Sequence, residues 1–189
     1  MQFKRLVFPC CVALLSIKLV FSCTPTQARE SLDNKARLTA AFIYQITKFT
    51  LWPDTLNAQN PPAFNICVLG QSNPTLFGHL RELESKSTQG QQIEVVQLKN
   101  KAQLLAHSGN HCKVLFATDE QLQSLSADQI EQLTQTTLLI GDSKEFLQQG
   151  GMLALLVIDN KMKIFINPKN LEKTSIRLES RLKALATAV

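Results

Sequence analysis

Few residues in this chain combine a reactive side chain with a spacing that supports chemistry. The histidines are His79, His107 and His111, and the last two are four positions apart. Zinc motifs with that spacing place both imidazoles on one face of a helix. Residues 108–110 (Ser-Gly-Asn) are typical of a turn instead. We therefore expect no metal site here.

Signatures of catalysis and cofactor binding are equally weak. Gly70 separates a predicted strand from a predicted helix, where α/β proteins often hold phosphate. The sequence nevertheless contains no G-x-G-x-x-G fingerprint, no Walker lysine–serine pair and no serine in a nucleophile elbow. Asp119 and Glu120 are typical of a helix start rather than of an acid–base pair. We predict a protein that is not an enzyme and needs no cofactor.

The N-terminus predicts export. Two basic residues precede an apolar run over residues 6–17, as in a secretory signal, and the run is too short to span a membrane. Residues 26–28 (Thr-Gln-Ala) fit the small-x-small rule and predict cleavage after Ala28. Residues 1–28 would then be a signal peptide and residues 29–189 a single periplasmic domain.

Two alternatives to this cleavage remain. Cys23 follows Val-Phe-Ser, which loosely resembles a lipoprotein box, and lipidation there would anchor the protein to a membrane. An uncleaved N-terminal helix buried in the domain is the other alternative.

Export changes how charge and cysteine content are interpreted. Loss of Lys4, Arg5 and Lys18, with no acidic residue, lowers the formal net charge from +5 to +2, so nucleic-acid binding is disfavoured. Cleavage also leaves Cys67 and Cys112 as the remaining cysteines. An even number in an oxidising compartment favours a disulfide, although two buried free thiols are also possible. In a flavodoxin-like strand order the first and third strands are neighbours, close enough for a bridge.

Apolar runs bounded by turn residues alternate with helical patterns along the mature chain, which predicts a parallel sheet with helices on both faces. A helix over residues 32–51 comes first. The predicted strands are residues 64–69, 93–98, 112–117, 137–140, 152–158 and 162–166. The last two are separated by a turn of hairpin length, and a terminal helix is expected from Pro168 to about Ala186. The predicted fold is a three-layer α/β domain with a mostly parallel sheet of about six strands, a C-terminal antiparallel hairpin and a terminal helix.

Five segments, in this order and spacing, resemble the YfiR family of periplasmic proteins. They are residues 48–53 (Lys-Phe-Thr-Leu-Trp-Pro), 64–70 (Phe-Asn-Ile-Cys-Val-Leu-Gly), 150–152 (Gly-Gly-Met), 165–167 (Phe-Ile-Asn) and 176–182 (Ile-Arg-Leu-Glu-Ser-Arg-Leu). The resemblance covers roughly residues 35–186, although Glu179 stands where the family more often has a small polar residue.

This resemblance implies regulation rather than catalysis. YfiR-like proteins inhibit a membrane-bound diguanylate cyclase of YfiN type, which lowers cyclic-di-GMP and biofilm formation. An OmpA-like lipoprotein of YfiB type relieves the inhibition by sequestering the inhibitor. The family tends to form homodimers, and disulfides keep its members folded. Cys67 and Cys112 lie where a family disulfide is expected, whereas no cysteine near Gly150 could form a second bridge.

The alternative function is a small-ligand-binding domain of a sensor or transport system. Open α/β sheets bind ligands beyond the carboxyl ends of their parallel strands. Here that position is the crevice beyond Gly70, Ala117 and Gly141.

Overall fold

The structure is a computed structural model that describes residues 25–52, 63–107 and 112–189. Its helices are α1 (Pro25–Lys48), α2 (Pro74–Arg81), α3 (Lys101–His107), α4 (Asp119–Gln123), α5 (Ala127–Thr134), α6 (Lys144–Gln148), α7 (Pro168–Glu172) and α8 (Ser180–Leu185). Its strands are β1 (Thr50–Leu51), β2 (Phe64–Leu69), β3 (Ser87–Thr88), β4 (Gln91–Leu98), β5 (Val114–Phe116), β6 (Leu138–Gly141), β7 (Leu153–Ile158), β8 (Lys161–Ile166), β9 (Arg177–Leu178) and β10 (Ala186–Ala188).

The main sheet has the order β10-β8-β7-β6-β5-β2-β4-β3. Its pairs are parallel except for the β7–β8 hairpin and the short β3–β4 pair. The predicted α/β class, mostly parallel sheet and C-terminal hairpin are confirmed. Within the described residues the sheet has eight strands rather than about six, because β3 and β10, of two and three residues, extend its two edges.

Side chains alternate between the two faces of the sheet, so the domain has two apolar cores. On β2, Ile66 and Val68 pack on the face covered by α1 and α2, where Ile43 and Leu76 are fully buried. Cys67 and Leu69 point to the opposite face. That second core contains Leu104, Leu122, Leu133 and Phe146 from α3 to α6.

Helix α1 begins and ends earlier than the pattern predicted. It runs from Pro25 to Lys48 and buries Ile43 and Ile46 completely or nearly so. Ala28, the predicted cleavage residue, lies in its first turn, whereas Cys23 lies outside the described residues. Cleavage and the domain boundary at residue 29 stay predictions. No helix in the described ranges is long and apolar enough to cross a membrane.

The expected terminal helix is interrupted. Helix α7 ends at Glu172, and the Thr174 hydroxyl donates to the carbonyl of Leu171 (3.0 Å) while accepting from the amide of Ile176 (3.2 Å). Serine and threonine hydroxyls that bond to nearby backbone compete with helix continuation. The chain then forms β9, which pairs antiparallel with β1, before α8 and β10.

Candidate functional site

The disulfide joins Cys67 and Cys112, the two cysteines that the sequence singles out. Cys67 lies on β2, Cys112 precedes β5, and these strands are parallel neighbours, so the Cα atoms lie 5.7 Å apart. Both residues are buried in the second core. The bridge ties together two central strands and is shielded from solvent.

The crevice at the carboxyl ends of the strands is largely occupied by the protein itself. Helix α1 crosses it, and the Lys35 ammonium lies 3.6 Å from the carboxylate of Asp142, just beyond β6. The remaining cavity is about 230 Å³. This volume is below the roughly 300–1,000 Å³ that is usual for small-molecule sites.

The turn after β2 has its hydrogen-bonding groups engaged. The amide of Gly70 donates to the carbonyl of Leu98 (2.7 Å), and the Asn73 side chain caps α2 by accepting from the amide of Leu76 (3.0 Å). The Gln121 amide group lies against Gly70, so closely that a Cβ atom there would be 2.3 Å from its Nε2. These contacts leave little space for a phosphate at this turn.

Among the described residues, no group of three or more His, Cys, Asp and Glu side chains is placed to hold a metal ion. His111 and the side chain of His107 lie outside the described part of the chain. His79 links two helices: its Nε2 is 2.9 Å from Asp33 of α1, and its Nδ1 is 3.2 Å from Glu82.

Two of the five family-like segments meet at the β1–β9 pair. Thr50 pairs with Leu178 and Leu51 with Arg177, and the amide of Glu179 donates to the carbonyl of Phe49 (2.9 Å). Trp52 is buried and packs edge-on against Phe64, with ring centroids 5.1 Å apart.

Two further segments meet at the turn between α6 and β7. The Nδ2 group of Asn167 donates to the carbonyl of Leu147 (3.0 Å). The Nδ2 group of Asn170 donates to the same carbonyl (3.0 Å) and to that of Gly151 (2.8 Å). Asparagine side chains of the segment after β8 therefore hold the diglycine turn in place.

Replacing Asn170 with alanine removes both of its bonds to this turn. Because a part-buried carbonyl loses its donor, we expect the free energy of unfolding to fall by about 1–3 kcal/mol. Urea unfolding monitored by circular dichroism measures the change. Asn34→Ala is the matched control, since Asn34 accepts an exposed hydrogen bond from Arg37 within α1 and its replacement should change stability by less than about 0.5 kcal/mol. Equal stability of the two variants would contradict the assigned role.

An open groove lies beside the same turn. Its walls are α5 and α7, and its base is formed by residues 148–150, by Leu122 and Gln123 at the end of α4, and by Leu125. We call it the α5–α7 groove. It encloses about 720 Å³, more than three times the volume of the strand-end crevice.

A separate apolar patch is exposed on the other side of the sheet. Leu32 and Leu38 of α1 are 66% and 38% exposed, and Val157 of β7 is 37% exposed. The three side chains line one shallow depression between α1 and the hairpin. We call it the α1–hairpin patch. Contiguous exposed apolar side chains of this kind often mark contact sites for other proteins.

Comparison with known proteins places these features in context. The family model described as YfiR/HmsC-like (DUF4154) matches residues 36–187. The fold is also similar to the crystal structure of a conserved domain protein from Vibrio cholerae O1 biovar El Tor, with a TM-score of 0.51 and 14% sequence identity. That similarity covers 79% of this chain and 59% of the solved chain, and at this identity it shows the fold alone. No curated protein matches the sequence.

Proposed function

Because the chain belongs to the YfiR/HmsC-like family, we propose that it binds and represses a membrane-bound diguanylate cyclase of YfiN type, or a related signalling receptor, from the periplasm. The observation that carries this proposal is the family match over residues 36–187, which spans nearly all of the described domain. Repression of the cyclase would lower cyclic-di-GMP and biofilm formation.

The α1–hairpin patch supports a protein partner. Leu32 is two-thirds exposed, on a helix whose opposite side is buried in the core. No contact within the described domain shields this apolar side chain from water. Burying such side chains against a second protein stabilises a complex by about 25 cal/mol for each Å² removed from water. We assign the cyclase-binding surface to this patch.

The rest of the proposed cycle follows the family. An OmpA-like lipoprotein of YfiB type would sequester the protein and release the cyclase, and a homodimer is the second expected assembly. The mature domain would begin at Arg29 after export. The mass of the purified protein distinguishes a chain that begins at Arg29 from one that begins at an acylated Cys23.

Deleting the gene is expected to raise cellular cyclic-di-GMP, and the wild-type protein supplied in trans should restore the lower level. A Leu32→Glu, Leu38→Glu double variant should fail to restore it, because charged side chains oppose burial at an apolar contact. Leu185→Glu is the matched control, since Leu185 is 76% exposed and lies outside the patch. The nucleotide is quantified by mass spectrometry of cell extracts, with the protein level checked by immunoblot.

An unchanged cyclic-di-GMP level after deletion, with no inner-membrane receptor co-purifying with the protein, would overturn the proposed function. Full activity of the patch variant would instead show that the cyclase contacts a different surface of the protein.

A further inference from the structure

The outer half of the β7–β8 hairpin projects beyond the rest of the main sheet. Strand β6 pairs only with Leu153 and Ala154 at the start of β7, and β10 pairs only with residues 164–166 of β8. Among the described residues, positions 156–158 and 161–163 therefore pair with each other alone. This part of the hairpin is a two-stranded ribbon without a neighbouring strand on either side.

Side chains alternate between the two faces of this ribbon. Val157 lies on the face that borders the α1–hairpin patch. The opposite face carries Lys163, which pairs with Leu156, and Lys161, which follows the hairpin turn and pairs with Ile158. Both lysines are exposed, and Ile158 is 38% exposed. The second face therefore presents ammonium groups beside aliphatic side chains.

A third ammonium group joins this face from α6. The Nζ atom of Lys144 lies 4.6 Å from the centroid of the Phe165 ring. Phe165 is the next residue after Lys163 on the same face of β8, and residues two apart along a strand are separated by about 6.7 Å. The ammonium groups of Lys144, Lys161 and Lys163 thus share one continuous surface. We call it the lysine face.

The positive charge of the lysine face is not neutralised by ion pairing. None of its three lysines forms an ion pair with a described residue. The acidic residues closest to them in sequence, Glu145 and Asp159, are both exposed. Residues 161–189 contain seven basic and two acidic residues, a formal charge of +5, whereas the mature chain as a whole carries +2. Such a local excess of positive charge attracts a negatively charged surface.

The composition of the lysine face favours a lipid surface over a protein partner. Protein interfaces are enriched in arginine and depleted in lysine. All three cationic residues of this face are lysines, whose ammonium groups are point charges on flexible stems. Phospholipid headgroups can move laterally to meet such charges, and an exposed aliphatic side chain such as Ile158 can enter the headgroup region.

We propose that the lysine face binds the surface of an anionic phospholipid bilayer. Lys144, Lys161 and Lys163 contact lipid phosphates, and Ile158 contacts the headgroup region. Each lysine close to an anionic bilayer strengthens binding roughly fivefold, so three strengthen it on the order of a hundredfold. This is enough for a reversible contact and too little for a permanent anchor.

The inference goes beyond the proposed function, because it adds a second surface and a second kind of partner. The lysine face and the α1–hairpin patch lie on opposite faces of the hairpin, so lipid and cyclase do not compete for the same side chains. If the receptor is a membrane protein, as proposed above, lipid binding would also raise the concentration of the regulator beside it.

Co-sedimentation of the purified mature protein with lipid vesicles tests the proposal. Vesicles of equal parts phosphatidylglycerol and phosphatidylcholine have a negative surface, whereas vesicles of phosphatidylcholine alone have no net charge. At low ionic strength the partition coefficient should be about a hundredfold larger for the negative vesicles. Added salt should weaken this binding, because it screens the attraction. No binding to the negative vesicles, or equal binding to both kinds, overturns the proposal.

A triple variant locates the binding surface. Replacing Lys144, Lys161 and Lys163 with glutamine should lower the partition coefficient for negative vesicles by about a hundredfold. The three side chains are exposed, so the variant is expected to fold, and its thermal unfolding checks this.

The matched control replaces Lys48, Lys86 and Lys99 with glutamine. It removes the same number of charges from exposed positions, and Lys86 and Lys99 flank β3 and β4 at the opposite edge of the main sheet. Its partition coefficient should stay within about threefold of the wild-type value. Equal losses in the two triple variants would show that net charge alone governs binding and would refute the assignment to the lysine face.

Capture of an acidic protein through these lysines, without any binding to vesicles, would likewise refute the lipid assignment. The vesicle measurements contain no cyclase. Their failure leaves the effect of gene deletion on cyclic-di-GMP unaffected, so the two proposals can fail separately.

Discussion

Replacing both Cys67 and Cys112 with alanine is expected to lower the free energy of unfolding by about 4 kcal/mol. The bridge links residues 45 positions apart. Without it, the unfolded chain gains the conformational entropy that a closed loop of this length excludes, and the folded state becomes less stable relative to it. Alanine is preferred to serine because both sites are buried and a hydroxyl there would need a partner. For a domain of this size, the melting temperature should fall by about 8–16 °C.

Urea unfolding of the oxidised wild type and of the double variant measures this difference. The wild type treated with a reductant is the control, and it should approach the stability of the double variant because both lack the bridge. If the midpoint of the double variant equals that of the oxidised wild type, the disulfide does not stabilise the domain.

The second large effect is expected at the diglycine turn, where Gly151→Ala should destabilise the domain by about 3 kcal/mol. A Cβ atom at this position would lie 2.1 Å from the ring of Phe146 and 2.6 Å from its carbonyl oxygen. The ring cannot move aside easily, since Phe146 is fully buried and also packs closely against Gly141.

A double-mutant cycle separates this steric cause from a general weakening of the turn. Phe146→Ala alone should cost about 3–5 kcal/mol by leaving a cavity. The double variant Phe146→Ala, Gly151→Ala should lose clearly less stability than the sum of the losses of the two single variants, because it lacks the ring that the new methyl group would meet. Gly78→Ala is the control: a Cβ atom there meets nothing within 4 Å, and alanine favours the helix. Additivity within about 0.5 kcal/mol would contradict the proposed contact.

Sequence patterns predicted the centre of this fold better than its periphery. The strands β2 and β4 to β7 contain runs of buried apolar residues, and their alternation with helices indicates parallel pairing. The β1–β9 pair could not be found this way. It contains two residues on each side, and its segments are separated by more than 120 residues of the chain. In the sequence, Thr50 and Leu51 therefore appeared as the end of the first helix, and Arg177 and Leu178 as part of the terminal helix.

The candidate sites show the same limit. The strand-end crevice was predicted from topology, but the first helix crosses it and leaves little room. The α5–α7 groove was not predicted, because glutamine, leucine and isoleucine on separate elements have no spacing that marks a site. The available signal was indirect: the diglycine turn and Asn167 both belong to the family-like segments, and the groove lies beside them.

The β1–β9 pair also determines the order in which the domain can be completed. Synthesis proceeds from the N-terminus, so β1 has no partner until Arg177 and Leu178 have been made. The edge strand β10 is later still. The Cys67–Cys112 bridge, by contrast, needs only the first two-thirds of the chain. A chain that is long enough to contain both cysteines of this covalent link therefore still lacks β9 and β10, so closing either end of the domain requires residues made later.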